Sequence, residues 1–261
     1  MKKKILLIGA NGFLGKNIYN FFKTKYNIVK FNDTTTPRKD IRILKDLMYV
    51  KIKHKKFDFI INLSGQISDN SKKTKSENLI GIKNLLKVFD KKEKIIFFSS
   101  SALNNIKKHQ RLSLEKRNYL NSKLKSEKLI IKSLHSYLIV RLGNVYNSNF
   151  SKKGLIKNLM LHFTKGKKII INNLNEINNY IHINDFLMIF KKIIKQNEKQ
   201  KKINLSTETY TNLELFKLFK GHFDREFKVI DAKNTYHRKK NNINIYKSTF
   251  TIKKFLKNLN G

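Results

Sequence analysis

Lys4-Ile5-Leu6-Leu7-Ile8 is an apolar run that passes directly into Gly9-Ala10-Asn11-Gly12-Phe13-Leu14-Gly15, after which Leu14, Ile18, Phe21 and Phe22 recur at spacings of three and four. Nothing else in the chain restricts its fold as much. A short strand that enters a glycine-rich turn and leaves it as a helix is the opening unit of a nucleotide-binding α/β sheet. Glycines allow the tight turn and a close backbone approach to a pyrophosphate, whose charge is favoured at a helix N-terminus. The spacing G-x-x-G-x-x-G alone also suits a βα turn without a ligand. Asp33 follows the second strand, Asn27 to Phe31, where a carboxylate can accept the adenosine ribose hydroxyls. Together these features predict a dinucleotide site built on Gly9, Asn11, Gly12, Phe13, Leu14, Gly15 and Asp33. Asp33 favours NAD, because a carboxylate repels a 2′-phosphate, with NADP as the alternative given Lys30 and Arg38 nearby.

The rhythm continues with an amphipathic stretch from Ile43 to His54, a strand Phe57 to Leu63, a helix through Asn78 to Leu86 and a strand Lys94 to Phe98. A helix from about Glu115 to Leu134 and a strand Tyr137 to Leu142 come next. Strands alternating with helices mean βαβ units, and continuous apolar strands mean burial on both faces. Beyond Tyr146 the order changes to a helix (Gly154 to Phe163), a short strand (Lys168 to Ile171), an Asn-rich loop, a helix (Asn184 to Lys195) and a strand (Lys202 to Leu205). The expected fold is α/β: a Rossmann-like, doubly wound parallel sheet with a small, partly discontinuous C-terminal substrate lobe. Residues 1–146 with about 180–206 form the NAD-binding domain, and 147–179 with 207–261 the lobe.

Composition removes other classes. Zero Cys excludes a disulfide scaffold, a thiolate metal site and a Cys nucleophile, and fits a reducing cytoplasm. The seven His show no metal-ligand spacing, so no metal is expected, and His182 between Ile181 and Ile183 reads as structural. The apolar run after Met1 is too short for a signal sequence, and no stretch reaches the roughly 18 apolar residues of a membrane span. The net charge of +39 invites a nucleic-acid partner. Of the 57 basic residues, however, only seven are Arg, the residue better suited to bidentate phosphate and base contacts. The lysines spread over polar faces without a long like-charge block, which describes a solvated surface. Aromatics near them fall at core periodicity, so nucleic acid is not the expected partner.

Tyr119-Leu120-Asn121-Ser122-Lys123 puts a phenol and an ammonium one turn apart on one helix face. A free phenol has a pKa of about 10, and lowering it by about three units takes roughly 4 kcal/mol, which a neighbouring cation and an oxidised nicotinamide could supply. The pair follows Ser99-Ser100-Ser101 at the carboxyl end of a strand, where open α/β sheets place ligands.

Gly9 to Gly15, Asp58 to Gly65, Asn78 to Leu86, Phe98 to Ala102, Tyr119 to Glu127 and Arg141 to Tyr146 occur in an order and spacing that resembles the extended short-chain dehydrogenase/reductases, most closely their NAD-dependent sugar-nucleotide epimerase/dehydratase group. Asn179 to Asp185 also looks like that group's segment leading into a late helix, and the resemblance covers nearly the whole chain. It implies Tyr119 as acid or base on a sugar hydroxyl, Lys123 lowering its pKa and binding the nicotinamide ribose, and Ser101 bonding the same sugar oxygen, with Ser100 as the alternative serine. It implies Leu63, Ser64, Gly65 and Asn78 along the cofactor cleft, Asp40 and Ile41 near the adenine, and Asn144 facing the sugar nucleotide. The implied function is an NAD-dependent sugar-nucleotide epimerase, with a keto-sugar-nucleotide reductase or dehydrogenase as its rival, acting as a cytoplasmic homodimer. A non-catalytic dinucleotide-binding protein with a basic interaction surface is the alternative of another class.

The sequence departs from the group's pattern in places. Ala102-Leu103 replaces the Asp-Glu pair of the dehydratase branch, which disfavours dehydration. Leu103-Asn104-Asn105 replaces Val-Tyr-Gly, and Asn147 a Gly. Asn178 takes the place of an arginine that holds the nucleotide diphosphate in relatives, a role for which Arg238 or nearby lysines are the candidate substitutes.

Overall fold

The computed structural model describes residues 2–31, 44–65, 76–108, 112–147, 154–167, 169–171, 173–196, 198–223, 230–231 and 246–257. The first half contains β1 (Lys4–Ile8), α1 (Phe13–Phe22), β2 (Asn27–Phe31), α2 (Leu44–His54), β3 (Phe59–Asn62), a π-helical turn (Ser76–Ile80) running into α3 (Gly81–Val88), and β4 (Lys94–Ser100). A 3-10 helix (Ser101–Lys108), α4 (Leu114–Lys132), β5 (Tyr137–Leu142), β6 (Asn144–Tyr146), α5 (Leu155–Lys165), β7 (Ile170–Ile171) and β8 (Ile177–His182) follow. The chain continues with α6 (Ile183–Ile193), β9 (Gln200–Leu205), β10 (Glu208–Thr211), α7 (Asn212–Phe223), β11 (Ile230–Asp231) and α8 (Ile252–Lys257). These pack into two units, Met1–Arg141 with Gln196–Ile203, and Leu142–Lys195 with Asn204–Gly261.

The first unit is built on a six-stranded sheet in the order β2-β1-β3-β4-β5-β9, in which β1 pairs in parallel with β2 and β3, and β3 with β4. Ile5 to Ile8 and all of β3 are buried, as strands covered on both faces must be. α1 turns Gly15, Ile18 and Phe22 inward, the three-and-four spacing of its sequence. Leu6, Ile8, Leu47, Ile60, Leu85, Phe97 and Ile139 share one core. With β2 on one side of β1 and β3 on the other, the strand order reverses at β1. The crevice beyond the carboxyl ends of β1 and β3 is where such a sheet takes its ligand.

The second unit carries the sheet β10-β8-β6, with β8 antiparallel to β10 and parallel to β6, and a two-stranded parallel pair of β7 and β11. Its core unites Leu159 and Phe163 of α5, Leu215 and Phe219 of α7, and Ile252 and Phe255 of α8. Two expectations are corrected here. The Asn-rich stretch is not a loop throughout: Ile177–His182 is a strand, with Asn179 opposite Thr209 and Asn178 opposite Tyr210. Asn strands poorly on its own, but Thr209 donates to Asn179 Oδ1 at 2.8 Å and Asn178 donates to Asn212 Oδ1 at 3.0 Å, so both amides have side-chain partners. The stretch returning to the first unit is also shorter than 180–206. α6 packs on β8 and β6 and stays with the second unit, leaving 196–203 to rejoin the large sheet.

Two buried acids secure the segment before α8. Asp185 accepts from Ser248 Oγ and from the backbone N–H groups of Thr249 and Phe250. Glu208 accepts from the Ile252 N–H at 3.0 Å. His182 caps α6, its Nδ1 accepting from the Asn184 N–H, and stacks on Phe250, so it is structural as expected.

Candidate active site

α4 presents an unusual inward face. Ser113 caps it by accepting from the Lys116 N–H, and Ser122, Lys123, Ser126 and Glu127 are buried beside Leu120 and Ile130. Polar groups tolerate such burial only when hydrogen-bonded, and each is. Ser122 Oγ donates to the Tyr119 carbonyl at 2.7 Å, so it must accept from Asn78 Nδ2, also at 2.7 Å. That count fixes the Asn78 amide, whose Oδ1 points the other way and is buried without a partner among the described residues. Ser126 Oγ donates to the Asn78 carbonyl at 2.7 Å, fastening the π-helical turn to α4.

Lys123 Nζ donates to the carbonyls of Phe98 at 2.9 Å and Ser64 at 3.2 Å, and lies 4.7 Å from the Phe97 ring centre and 5.8 Å from that of Tyr119. Tyr119 and Lys123 therefore do share a face, as their spacing requires. Without the nicotinamide, burial acts on both groups. Burial pushes Tyr119 up to about 12 and Lys123 down to about 7, with Glu127 acting against the second change. Desolvation disfavours the charged form of both groups, and a half-neutral amine is a weak attractor for a phenolate.

The serine run separates by partner. Ser99 donates to Glu127 Oε1 at 2.6 Å, and Ser100 Oγ accepts from the Ala102 N–H at 3.3 Å. Ser101 is buried at the start of the 3-10 helix, which packs on α4. Sequence reasoning missed the neighbouring cluster. Arg141 grips Glu127 through Nε at 2.9 Å and Nη2 at 2.7 Å, and donates from Nη1 to Asn104 Oδ1 at 2.7 Å. The signal was present, since Ser122, Ser126 and Glu127 lie at helical spacings from Tyr119 and Lys123.

The glycine turn fits a dinucleotide. Gly9 has φ +79°, and a Cβ on Gly15 would meet the Gly9 carbonyl oxygen at 2.2 Å, so both positions require glycine. Gly12 stands at the start of α1 with no side-chain cap, leaving the first N–H groups of the helix for an anion. Asn11 is exposed and Phe13 and Leu14 half-buried. Gly9 packs on Leu63 and Ser64, and Ser64 donates to Asn62 Oδ1. A Cβ on Gly65 would lie 2.7 Å from both Asn78 Oδ1 and Lys123 Nζ, so Gly65, Asn78 and Lys123 border one small recess. The structure thus brings together Gly9 to Gly15 with Leu63 and Ser64, and Gly65 and Asn78 with Tyr119 and Lys123. Asn144 is exposed at the start of β6 in the second unit, where Asn178 is engaged by Asn212. Asp33, Arg38, Asp40, Ile41 and Arg238 lie outside the described residues. Among the described residues no group of His, Asp and Glu could hold a metal, and no helix is long and apolar enough to cross a membrane.

A family model described as the NAD dependent epimerase/dehydratase family matches residues 5–206. A GDP-6-deoxy-D-talose 4-dehydrogenase of Aggregatibacter actinomycetemcomitans is 27% identical over 231 residues, covering 82% of this chain and 78% of that protein. Among solved structures, dTDP-glucose 4,6-dehydratase of Bacillus anthracis in complex with NAD superposes with a TM-score of 0.77 at 16% identity, covering 98% of this chain and 94% of that one. UDP-glucose 4-epimerase of Thermotoga maritima, solved with UDP-glucose, gives 0.73 at 17% identity, covering 97% and 96%.

Proposed function

The chain belongs to the NAD dependent epimerase/dehydratase family, an NAD(P)-dependent enzyme of the extended short-chain dehydrogenase/reductase type, and from that we propose that it epimerises a nucleotide-activated sugar. Gly9, Gly12 and the open N-terminus of α1 would hold the pyrophosphate, and Lys123, Asn78 and Gly65 the nicotinamide ribose. When bound, the nicotinamide takes up and returns a hydride at a sugar carbon. Tyr119 Oη takes the proton of the sugar hydroxyl at that carbon and gives it back, and Ser101 Oγ bonds the same oxygen. Burial raises the Tyr119 pKa, and the positive charge of Lys123 and of an oxidised nicotinamide would favour the ionised phenol that takes the proton. Ala102 and Leu103 offer no acid for elimination, which argues against dehydration.

The observation that supports this reading is the inward face of α4, where Lys123 Nζ borders the recess beside Gly65 and lies 5.8 Å from the Tyr119 ring centre. A second reading, net oxidation or reduction of a keto-sugar nucleotide with exchangeable cofactor, is supported by the likeness to a sugar-nucleotide 4-dehydrogenase. Homodimerisation through α3 and α4 goes with either reading, and sedimentation checks it. Releasing bound nucleotides from purified protein separates the two: stoichiometric retained NAD supports the epimerase, and exchangeable NADPH the reductase. Tyr119→Phe should bind cofactor as the wild type does and lose turnover by at least about a hundredfold. Full turnover in that variant would overturn both readings. Turnover with neither cofactor, alongside salt-sensitive nucleic-acid binding, would favour the basic-surface alternative.

A further inference from the structure

Lys123 is almost fully enclosed, and its immediate partners, the Phe98 and Ser64 carbonyls and the Phe97 ring, carry no formal charge. The nearest charged side chain acting on it is Glu127, one turn further along α4. Glu127 is itself bound bidentately by Arg141 from β5, with Ser99 of β4 on the same carboxylate and Asn104 of the 3-10 helix on the far side of the guanidinium. Tyr119, one turn before Lys123 on α4, is a titratable neighbour, and Asn78 of the π-helical turn contributes a neutral amide. The layout is a chain of alternating charge: ammonium, carboxylate, guanidinium. The arrangement is costly to desolvate.

We propose that Glu127 and Arg141 are positioning residues that set the charge state of Lys123, the carboxylate holding the ammonium in its protonated form and the guanidinium limiting that hold. This rests on the reading of Lys123 as the partner of Tyr119, but it concerns the amine itself and is measurable without cofactor or substrate. Enclosed by carbonyls and an aromatic ring, Lys123 has its pKa pushed down by burial, which sets its side chain apart from the solvated lysines. Removing Glu127 alone deprives the ammonium of its anion and leaves a buried guanidinium facing it. Removing Arg141 alone frees the carboxylate to act on Lys123. Removing both loses the nearer charge and the further one, so the nearer dominates.

The test follows lysine Cε resonances by NMR through a pH titration of the full-length protein carrying carbon-labelled lysine, with Lys123 assigned by its loss in Lys123→Met. Expected midpoints rank Arg141→Met highest, then wild type, then the double variant Glu127→Gln with Arg141→Met, then Glu127→Gln. Each single change moves the midpoint by about one pH unit, tenfold in the protonation equilibrium. Asn104→Ala breaks the outer hydrogen bond, keeps both charges, and should leave the midpoint in place. If a single variant fails to fold, the double variant, which strands neither member of the Glu127–Arg141 pair, decides by falling below wild type. A wild-type midpoint among the ordinary lysines, single variants moving in the same direction, or a double variant at or above wild type overturns the proposal. Those outcomes leave the Tyr119→Phe experiment untouched, so failure here and failure of the proposed function are distinguishable.

Discussion

Two buried glutamates, one in each unit, are held in opposite ways. Glu127 meets a guanidinium that covers both its oxygens, and is an ion inside the protein. Among the described residues Glu208 is met by no cation but by hydroxyl and amide groups. The Tyr146 phenol lies 2.8 Å from one oxygen, the Tyr210 phenol 3.0 Å from the other, and the Ile252 N–H 3.0 Å from both. Tyr146 also sits 2.8 Å from the Phe250 carbonyl, and one phenol has one proton for two acceptors. That proton is shared between the Glu208 carboxyl and the Phe250 carbonyl. Burial pushes the Glu208 carboxyl up, with nearby Asp185 adding to the shift, in the same sense. One side-chain type thus serves as the partner of a guanidinium beside Lys123 and as a hydrogen-bond hub where the segment before α8 is secured. The partner decides which.

Breaking the ionic case should cost most. Arg141→Met strands the Glu127 carboxylate in the core, and urea unfolding should show a loss of about 3–5 kcal/mol. Should the loss be under about 1 kcal/mol, Glu127 is solvated or protonated in solution and the contrast collapses.

The second effect is the pH dependence contributed by Lys123. Its folded value of about 7 lies below the unfolded 10.5, so the native state binds fewer protons between these values and stability rises with pH across that window. Relative to Lys123→Met, the wild type should gain about 2 kcal/mol between about pH 7 and 9. A flat difference would mean that the amine is hydrated.

Glu208 supplies the smaller effects and the opposite sign. Glu208→Ala leaves the Ile252 N–H and two phenols without their acceptor, for about 1–3 kcal/mol. Glu208→Gln keeps a neutral group of the same shape and should cost less than about 1 kcal/mol in mild acid. With a folded carboxyl value raised above the unfolded one, the contribution is present below the unfolded value and lost as pH rises through the folded one. Urea midpoints of wild type should therefore fall relative to Glu208→Gln as pH increases, whereas a rise would show Glu208 to be ionised.

Legibility in the sequence followed the range of the interactions. The glycine turn was readable because strand, turn and helix are contiguous, and Gly15 is demanded by atoms only a few residues away. Tyr119 and Lys123 were readable because helical spacing alone puts them on one face. Arg141 and Asn104 were not, because they reach α4 from other elements. The strand at Ile177–His182 was hidden for a similar reason, its asparagines being made compatible with a sheet by Thr209 and Asn212.

From sequence alone came the alternation that makes a parallel sheet, the turn that suits a pyrophosphate, and the phenol and amine one helical turn apart, all consequences of backbone geometry over a few residues. Tertiary structure alone decided what is buried beside those groups and which partners hold Ser99 and Ser100. Charge state depends on what else is buried nearby, and distant strands bring that together: Ser99 and Arg141 onto Glu127, the Phe98 carbonyl onto Lys123, and two tyrosines onto Glu208.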